Sequence, residues 1–319
     1  MAMQVGHSQT LPQLGKDPIE KIVAAMTAEE KVSLLVGTGM PGFGGQSAVV
    51  GSTQNIVPGA AGTTFPIERL GIPAIVVADG PAGLRISPTR EGNEATYYCT
   101  AFPVATLLAS TWNTALVKNV GNAMGDEVKE YGCDVLLAPA LNIHRSPLCG
   151  RNFEYYSEDP FVTGKLAGAM VRGIQSNNVG ATVKHFALNN KETNRKNSDS
   201  RVSERAAREI YLKAFEMIVK DENPWAIMSS YNMINGYRAS ESEDLLTGIL
   251  RDEWGYEGMV TSDWWTCGEH YKETKAGNDL KMGNGYPDRV KKAYDKGAIS
   301  RSEMETSVKR ILGLILKLD

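Results

Sequence analysis

Gly258-Met-Val-Thr-Ser-Asp263-Trp264-Trp265 is an apolar stretch that ends on an acid followed by two indoles. The run from Met259 to Thr261 is typical of a buried parallel strand, and the reactive groups of an α/β barrel collect where such strands end. A carboxylate at that edge lies beside flat apolar surface of the kind that stacks on a sugar ring. Asp263 is therefore the first candidate for a catalytic nucleophile.

Short apolar runs bounded by turn or cap residues occur upstream of this stretch, at residues 74–78, 102–107, 135–141, 181–186 and 226–230. Helical patterns alternate with them, at residues 115–131, 161–176, 204–220 and 241–253. Repeated βα units predict an α/β fold, an irregular (β/α)8 TIM-like barrel in one domain. Seven strands are easier to find than eight, and residues 277–283 are a candidate for one more.

The domain prediction is an amino-terminal extension over residues 1–18 and a barrel over residues 19–319. Capping boxes at Thr27 and Ser300 mark an early helix and a terminal amphipathic helix. Residues 41–62 are rich in Gly, Ser, Ala and Pro, which predicts a long irregular loop.

Composition argues against several classes of partner. The chain has 34 basic and 37 acidic residues and a net charge of -3, so nucleic acid and anionic membrane are not expected partners. Its four cysteines are scattered without a C-x-x-C pair, which favours free thiols. No stretch has the pattern of a signal peptide or the length of a membrane span. We expect a soluble protein, either cytoplasmic or secreted with its signal removed, that acts on a neutral polar substrate.

Polar side chains follow five of the predicted strands at the point where each strand ends. They are Asp79 with Arg85, Asn142 with His144 and Arg145, Lys184 with His185, Tyr231 with Asn232, and Asp263 with Trp264. Because the carboxyl ends of barrel strands meet at one rim, these side chains are expected to lie close together.

Structural explanations stay open for several of these residues. Asp79 could brace the Gly-Pro turn that follows it, and Tyr231 and Trp264 could be core aromatics. Arg151 could bind substrate hydroxyls, pair with Glu154, or do both. Lys184 favours a site more strongly, because burying a lysine in an apolar strand without a partner is costly.

Several ordered motifs between Ile19 and Leu318 resemble glycoside hydrolase family 3, and in particular its β-glucosidase branch. The motifs are Asp79-Gly-Pro with Arg85, Gly150-Arg151-Asn-Phe-Glu154 with Ser157-Glu-Asp-Pro160, Lys184-His185-Phe, Arg195, Arg208-Glu-Ile-Tyr-Leu and Ser262-Asp263-Trp264. The resemblance implies the amino-terminal barrel of those enzymes, and a β-glucoside or oligosaccharide as substrate.

The resemblance also implies roles for individual residues. Asp263 matches the nucleophile that forms a covalent glycosyl-enzyme, and Asp79 matches the acid that binds sugar hydroxyls. The other matching positions imply substrate binding by Arg85, Arg151, Lys184, His185, Arg195, Tyr231 and Trp264. It implies no metal and no organic cofactor.

The general acid/base of the family's β-glucosidases has no counterpart in this sequence. By resemblance it comes from a second α/β sandwich domain, which is therefore expected as a partner in cis or in trans, docked on an exposed apolar face of the barrel. A single-domain β-N-acetylglucosaminidase branch instead uses a loop histidine, and this chain has Asp199-Ser-Arg201 where that branch has Asp-Ser-His. Glu154 and Glu192 are weak candidates to replace it.

Three alternatives remain. The chain could be a catalytically incomplete carbohydrate-binding domain, or a single-domain hydrolase like the β-N-acetylglucosaminidases. It could also be a metal-dependent hydrolase using His144, His185, Asp79 and Asp263, although no H-x-H or H-E-x-x-H spacing is present.

Overall fold

The computed structural model describes residues 11–37, 56–283 and 285–318. Most of the loop predicted at residues 41–62 and most of the extension predicted at residues 1–18 lie outside these ranges. In the described part of the chain, no helix combines the length and apolarity that crossing a membrane would require.

The strands predicted to carry the site are present, and most are short. In chain order the strands are β1 (Gly62–Thr63), β2 (Val76–Asp79), β3 (Val135–Leu137), β4 (Gly180–Phe186), β5 (Asp199–Ser200), β6 (Ala226–Ser229), β7 (Met233–Ile234), β8 (Tyr237–Arg238) and β9 (Met259–Ser262). Six of them form one sheet in the order β1-β2-β3-β4-β6-β9, and β5, β7 and β8 form a small separate sheet.

The main sheet is parallel from β2 to β9, and β1 is antiparallel to β2. Among the described residues, the sheet continues beyond β9 through single bridges, between Thr261 and Leu280 and between Lys281 and Val36. Residues 277–283 therefore contribute a bridged extended segment rather than a full strand. The resulting curled sheet, covered by helices, is an irregular TIM-like α/β barrel, as predicted.

Ten α-helices lie in the described residues. They are α1 (Ile19–Ala25), α2 (Ala28–Leu34), α3 (Ala105–Ala109), α4 (Thr114–Glu130), α5 (Pro160–Gln175), α6 (Glu204–Ala206), α7 (Lys213–Glu222), α8 (His270–Ala276), α9 (Pro287–Asp295) and α10 (Arg301–Ile315). Thr27 and Ser300 both form the predicted capping boxes. The Asp159 side chain caps α5 by accepting from the N–H groups of Phe161 and Val162.

Three predictions of secondary structure need correction. The run 102–107 is not a strand, because α3 begins at Ala105 after Pro103. Proline cannot donate to a strand ladder, and the Ala-Thr-Leu-Leu-Ala sequence favours helix. The predicted helix 204–220 is interrupted by a π-helical segment at Ala207–Tyr211, and the predicted helix 241–253 is π-helical over Asp244–Glu253.

Alternate residues of β2, β3 and β6 pack into two different cores. Val76 and Ala78 of β2 belong to the core shared with α4, α5 and α7, whereas Val77 belongs to the core shared with α1, α2 and α10. This alternation is the two-residue period of a strand buried on both faces. The strands are therefore buried on both faces, and the carboxyl ends of the parallel strands meet at one rim.

Candidate active site

A cavity of about 280 Å³ lies at this rim. Its lining includes all nine predicted site residues, Asp79, Arg85, Arg151, Lys184, His185, Arg195, Tyr231, Asp263 and Trp264. It also includes Ala61, Leu137, Met228 and Trp265. A larger cavity of about 440 Å³ lies between residues 266–271 and α9, but its lining contains none of the nine.

Asp79 and Lys184 form a buried ion pair in this cavity, with Lys184 Nζ 2.8 Å from Asp79 Oδ1. Lys184 is 3 % exposed, so this carboxylate is what makes its burial tolerable. Burial raises the pKa of Asp79, but Lys184, Arg85 and Arg151 outweigh it and hold that pKa below its usual range. The Asp79 carbonyl also accepts the Arg85 N–H at 2.9 Å, so the backbone of Asp79 closes the Gly-Pro turn.

The Asp263 carboxylate lies directly after β9 and is 7 % exposed. Its Oδ1 accepts the Trp264 N–H at 2.7 Å, and its Oδ2 has no hydrogen-bond partner among the described residues. Burial raises the pKa of Asp263, against the opposing effects of Arg151 and Lys184. Within the described ranges, Oδ2 is thus a buried carboxylate oxygen that accepts no hydrogen bond.

His185 faces this oxygen, with its Nε2 3.8 Å from Asp263 Oδ2. Burial lowers the pKa of His185 well below its usual range, and the positive charges of Arg151, Lys184 and Arg195 lower it further. The imidazole is therefore neutral at physiological pH, and one ring nitrogen carries a hydrogen while the other can accept one.

Two arginines of the cavity are each held by a glutamate. Arg151 Nε donates to Glu154 Oε1, and Arg195 Nη1 donates to Glu192 Oε2 at 2.9 Å. Arg151 therefore pairs with Glu154 and also lines the cavity. Glu154 and Glu192 are absent from the lining and engaged in ion pairs, which leaves neither placed as a free acid.

The Tyr231 hydroxyl donates to the Trp264 carbonyl at 2.7 Å, and the Arg195 guanidinium lies 4.5 Å above the centre of the Tyr231 ring. Burial, with the nearby Asp263, raises the pKa of Tyr231, so its hydroxyl stays protonated. The tyrosine joins the strand end after β6 to the segment that carries Asp263.

Trp264 lines the cavity but is only 5 % exposed, and its indole N–H donates to the Ala61 carbonyl at 2.9 Å. Most of its ring is therefore part of the core. Trp265, which the site prediction omitted, also lines the cavity and is less buried. Its place in the same acid-indole-indole stretch was the sequence signal for it.

His144 is not part of the cavity lining. Its Nε2 lies 2.9 Å from the Asn152 carbonyl and 3.0 Å from the Tyr155 carbonyl, where it ties the loop before α5 together. Among the described residues, no group of three or more His, Cys, Asp or Glu side chains is placed to hold a metal ion. All four cysteines are free thiols.

The family profile of the glycosyl hydrolase family 3 N terminal domain matches residues 53–314. The chain belongs to glycosyl hydrolase family 3. Among the members of this family, Beta-glucosidase A of Butyrivibrio fibrisolvens is 56% identical over 290 residues, covering 91% of this chain and 32% of that protein. An exo-alpha-(1->6)-L-arabinopyranosidase of Bifidobacterium longum is 43% identical over 256 residues, covering 79% of this chain and 34% of that protein.

A solved family 3 structure gives the same fold. Beta-glucosidase 3B from Thermotoga neapolitana, in complex with alpha-D-glucose, is 50% identical and superposes with a TM-score of 0.90. The match covers 94% of this chain and 43% of that one. The chain thus spans about a third of the length of the curated family 3 relatives it matches.

Proposed function

We propose that this chain is the sugar-binding and nucleophilic part of a retaining β-glucosidase, with Asp263 as the nucleophile. The observation that carries the proposal is the Asp263 Oδ2 atom, which is buried in the cavity without a hydrogen-bond partner among the described residues. A nucleophile needs a free oxygen next to the reacting carbon, whereas a structural carboxylate would be fully hydrogen-bonded.

The charges around the cavity support a neutral ligand. Its lining carries the four cations Arg85, Arg151, Lys184 and Arg195 and the two carboxylates Asp79 and Asp263. Glu154 and Glu192 neutralise two of the arginines from behind, so positive and negative charges are equal in number. Such a site offers many hydrogen-bond donors and acceptors without a net field, which suits a polyhydroxylated sugar. The cavity is at the small end of the range for ligand sites, consistent with one monosaccharide unit.

In the proposed reaction, Asp263 Oδ2 attacks the anomeric carbon while the bond from that carbon to the leaving oxygen breaks. A glycosyl ester on Asp263 results, and water later cleaves it. Asp79 and Lys184 would bind sugar hydroxyls as a charged pair, and neutral His185 would donate or accept one further hydrogen bond. Bonds to hydroxyls that tighten as the ring gains positive charge lower the barrier.

The acid/base is proposed to come from a second α/β sandwich domain, in cis or in trans. Retention requires a carboxyl group about 5–5.5 Å from the nucleophile that protonates the leaving group. The carboxyls in the described lining are Asp79 and Asp263, and Asp79 is paired with Lys184. On this proposal, residues 19–319 form the barrel domain, and the active site is completed by the second domain.

The test is incubation with 2,4-dinitrophenyl 2-deoxy-2-fluoro-β-glucoside, followed by intact mass and peptide mapping. This substrate has a leaving group that departs without protonation, so the barrel needs no acid for the first step. We expect a fluoroglucosyl adduct on Asp263. No adduct, with glucose binding intact by calorimetry, would favour a carbohydrate-binding domain without chemistry. Neither adduct nor binding would refute the proposal.

A second candidate substrate class is a terminal α-L-arabinopyranoside, favoured by the identity to the Bifidobacterium longum enzyme. Competition of L-arabinose and D-glucose for the same labelling reaction distinguishes the two. Stronger protection by glucose supports the β-glucoside assignment, and stronger protection by arabinose replaces it.

Labelling is expected to slow as the pH falls, with its acidic limb above the usual range of an aspartate. Only the ionised carboxylate attacks, and burial raises the pKa of Asp263. The rate should be measured by intact mass between about pH 4 and 8. Because the leaving group departs without protonation, ionisation of a general acid does not affect this pH profile. An acidic limb within or below the usual aspartate range would contradict the expectation.

A further inference from the structure

Lys184 and His185 are neighbours in β4, yet both line the same cavity. In a regular strand, consecutive side chains point to opposite faces, so only one of the two would reach the cavity. The pairing of β4 with β6 is irregular at this point, with a register shift between Val183 and Phe186. The backbone of β4 therefore departs from the regular pattern where the site needs two adjacent side chains.

The Asn142 side chain holds the backbone at this irregularity. Its Nδ2 donates to the His185 carbonyl at 2.9 Å, and its Oδ1 accepts the His185 N–H at 2.9 Å. The residue before it, Leu141, makes a main-chain hydrogen bond to the same strand, with its N–H donating to the Lys184 carbonyl at 2.7 Å. Asn142 is 2 % exposed, so both of its hydrogen bonds are shielded from water.

The His185 ring depends on this backbone for its position. Among the described residues its Nδ1 has no hydrogen-bond partner, and its Nε2 is 3.8 Å from Asp263 Oδ2. The Tyr155 ring packs edge-on against it with 6.4 Å between ring centres. Packing limits where the ring can go, but no side-chain hydrogen bond fixes it in the described part of the chain.

We infer that Asn142 is a positioning residue of the sugar site, which acts by holding His185 turned toward the cavity. The identity of the ligand rests on the proposed function, whereas the contact between Asn142 and His185 does not. The role requires a donor and an acceptor in one short planar group, which asparagine supplies. Aspartate has the same shape but cannot donate, and its charge would face the His185 carbonyl.

The experiment is a double-mutant cycle read by calorimetric binding of D-glucose. Asn142→Asp and Asn142→Ala are each made in the wild-type chain and in a His185→Ala background. In the wild-type chain we expect the affinity for glucose to fall about 10-fold or more. The buried His185 backbone loses its hydrogen-bond partner, so the ring is no longer held toward the cavity. In the His185→Ala background the same substitutions should change affinity by less than about 3-fold, because the group through which Asn142 acts is gone.

Asn177→Asp is the matched control. Asn177 also donates from a partly buried side chain to a backbone carbonyl, that of Asn122 in α4 at 2.9 Å, but it lies in the turn after α5 and outside the cavity lining. It should leave glucose affinity unchanged in both backgrounds. An equal loss from the Asn142 variants in both backgrounds would overturn the inference.

A spectroscopic readout separates this inference from the proposed function. The chain has 4 histidines, so ¹⁵N-histidine labelling gives few ring signals, and His185→Ala assigns the relevant one. We expect both Asn142 variants to shift the His185 ring signal and Asn177→Asp to leave it in place. If the wild-type chain neither forms the adduct nor binds glucose, the proposed function fails while this shift still tests the positioning. An unmoved His185 signal, or failure of both Asn142 variants to fold, would overturn the positioning role.

Discussion

Replacement of Asp263 by asparagine is expected to abolish covalent labelling, with a fall in rate of at least about 10⁴-fold. The amide has nearly the shape of the carboxylate but cannot attack the anomeric carbon. Glucose binding should survive, because Asp79, Lys184 and Arg151 remain in the cavity. Asp199→Asn is the matched control, since Asp199 lies in β5 and pairs with Arg201 outside the cavity lining. A Asp263→Asn variant that still labels at the wild-type rate would remove Asp263 as the nucleophile.

The same substitution is expected to stabilise the protein at neutral pH. Burial raises the pKa of Asp263, so the folded state binds this proton more tightly than the unfolded state does. The stability linked to this proton is present at low pH and is lost as the pH rises through the raised pKa. Asparagine does not ionise, so the variant does not lose this stability as the pH rises. The Tm of Asp263→Asn should therefore exceed that of the wild type at pH 7, and the difference should shrink as the pH is lowered.

Local sequence signals were enough to predict that Asp79, Lys184 and Asp263 lie near one another. Lys184 stands out in an apolar strand because a buried lysine without a partner is costly. In the structure its Nζ donates to the Asp79 carboxylate. Asp263 stands out because an acid directly follows an apolar run. Since parallel strands end at one rim, predicting the strands was enough to predict that these residues meet.

Other features have no such local signal. Leu137 and Met228 form walls of the cavity, but their apolar side chains are indistinguishable in sequence from core residues. The two hydrogen bonds between the Asn142 side chain and the His185 backbone form at a register shift in β4. The alternation of apolar and polar residues does not predict such a shift. The run at residues 102–107 was mistaken for a strand because a short apolar run fits a buried strand and a buried helix equally well.

Replacement of Asp79 by asparagine is expected to weaken glucose binding on the order of 100-fold or more. The change replaces a charged acceptor at one end of the cavity with a neutral amide, and it leaves the Lys184 ammonium buried without its counter-ion. Stability should also fall, by about 2–3 kcal/mol rather than the ~3–5 kcal/mol of a fully buried pair, because the Asp79 side chain is 28% exposed. Calorimetry and urea unfolding measure the two effects.

Asp221→Asn is the control for an exposed pair of the same residue types. Lys165 Nζ is 3.2 Å from Asp221 Oδ2, but both side chains are about half exposed, at 48% and 52%. Its loss should change stability by no more than about 1 kcal/mol and leave binding unchanged. Similar effects of the two substitutions would mean that the buried pair has no special role.

The double variant Asp79→Asn with Lys184→Met separates the two roles of the pair. Removal of both charges eliminates the uncompensated ammonium, so most of the stability lost in Asp79→Asn should return. Binding should not return, because a methionine and an amide lack the charged hydrogen-bonding groups proposed to hold the sugar hydroxyls. Recovery of stability without affinity would mean that the pair is kept for the ligand, and recovery of both would mean that it is only structural.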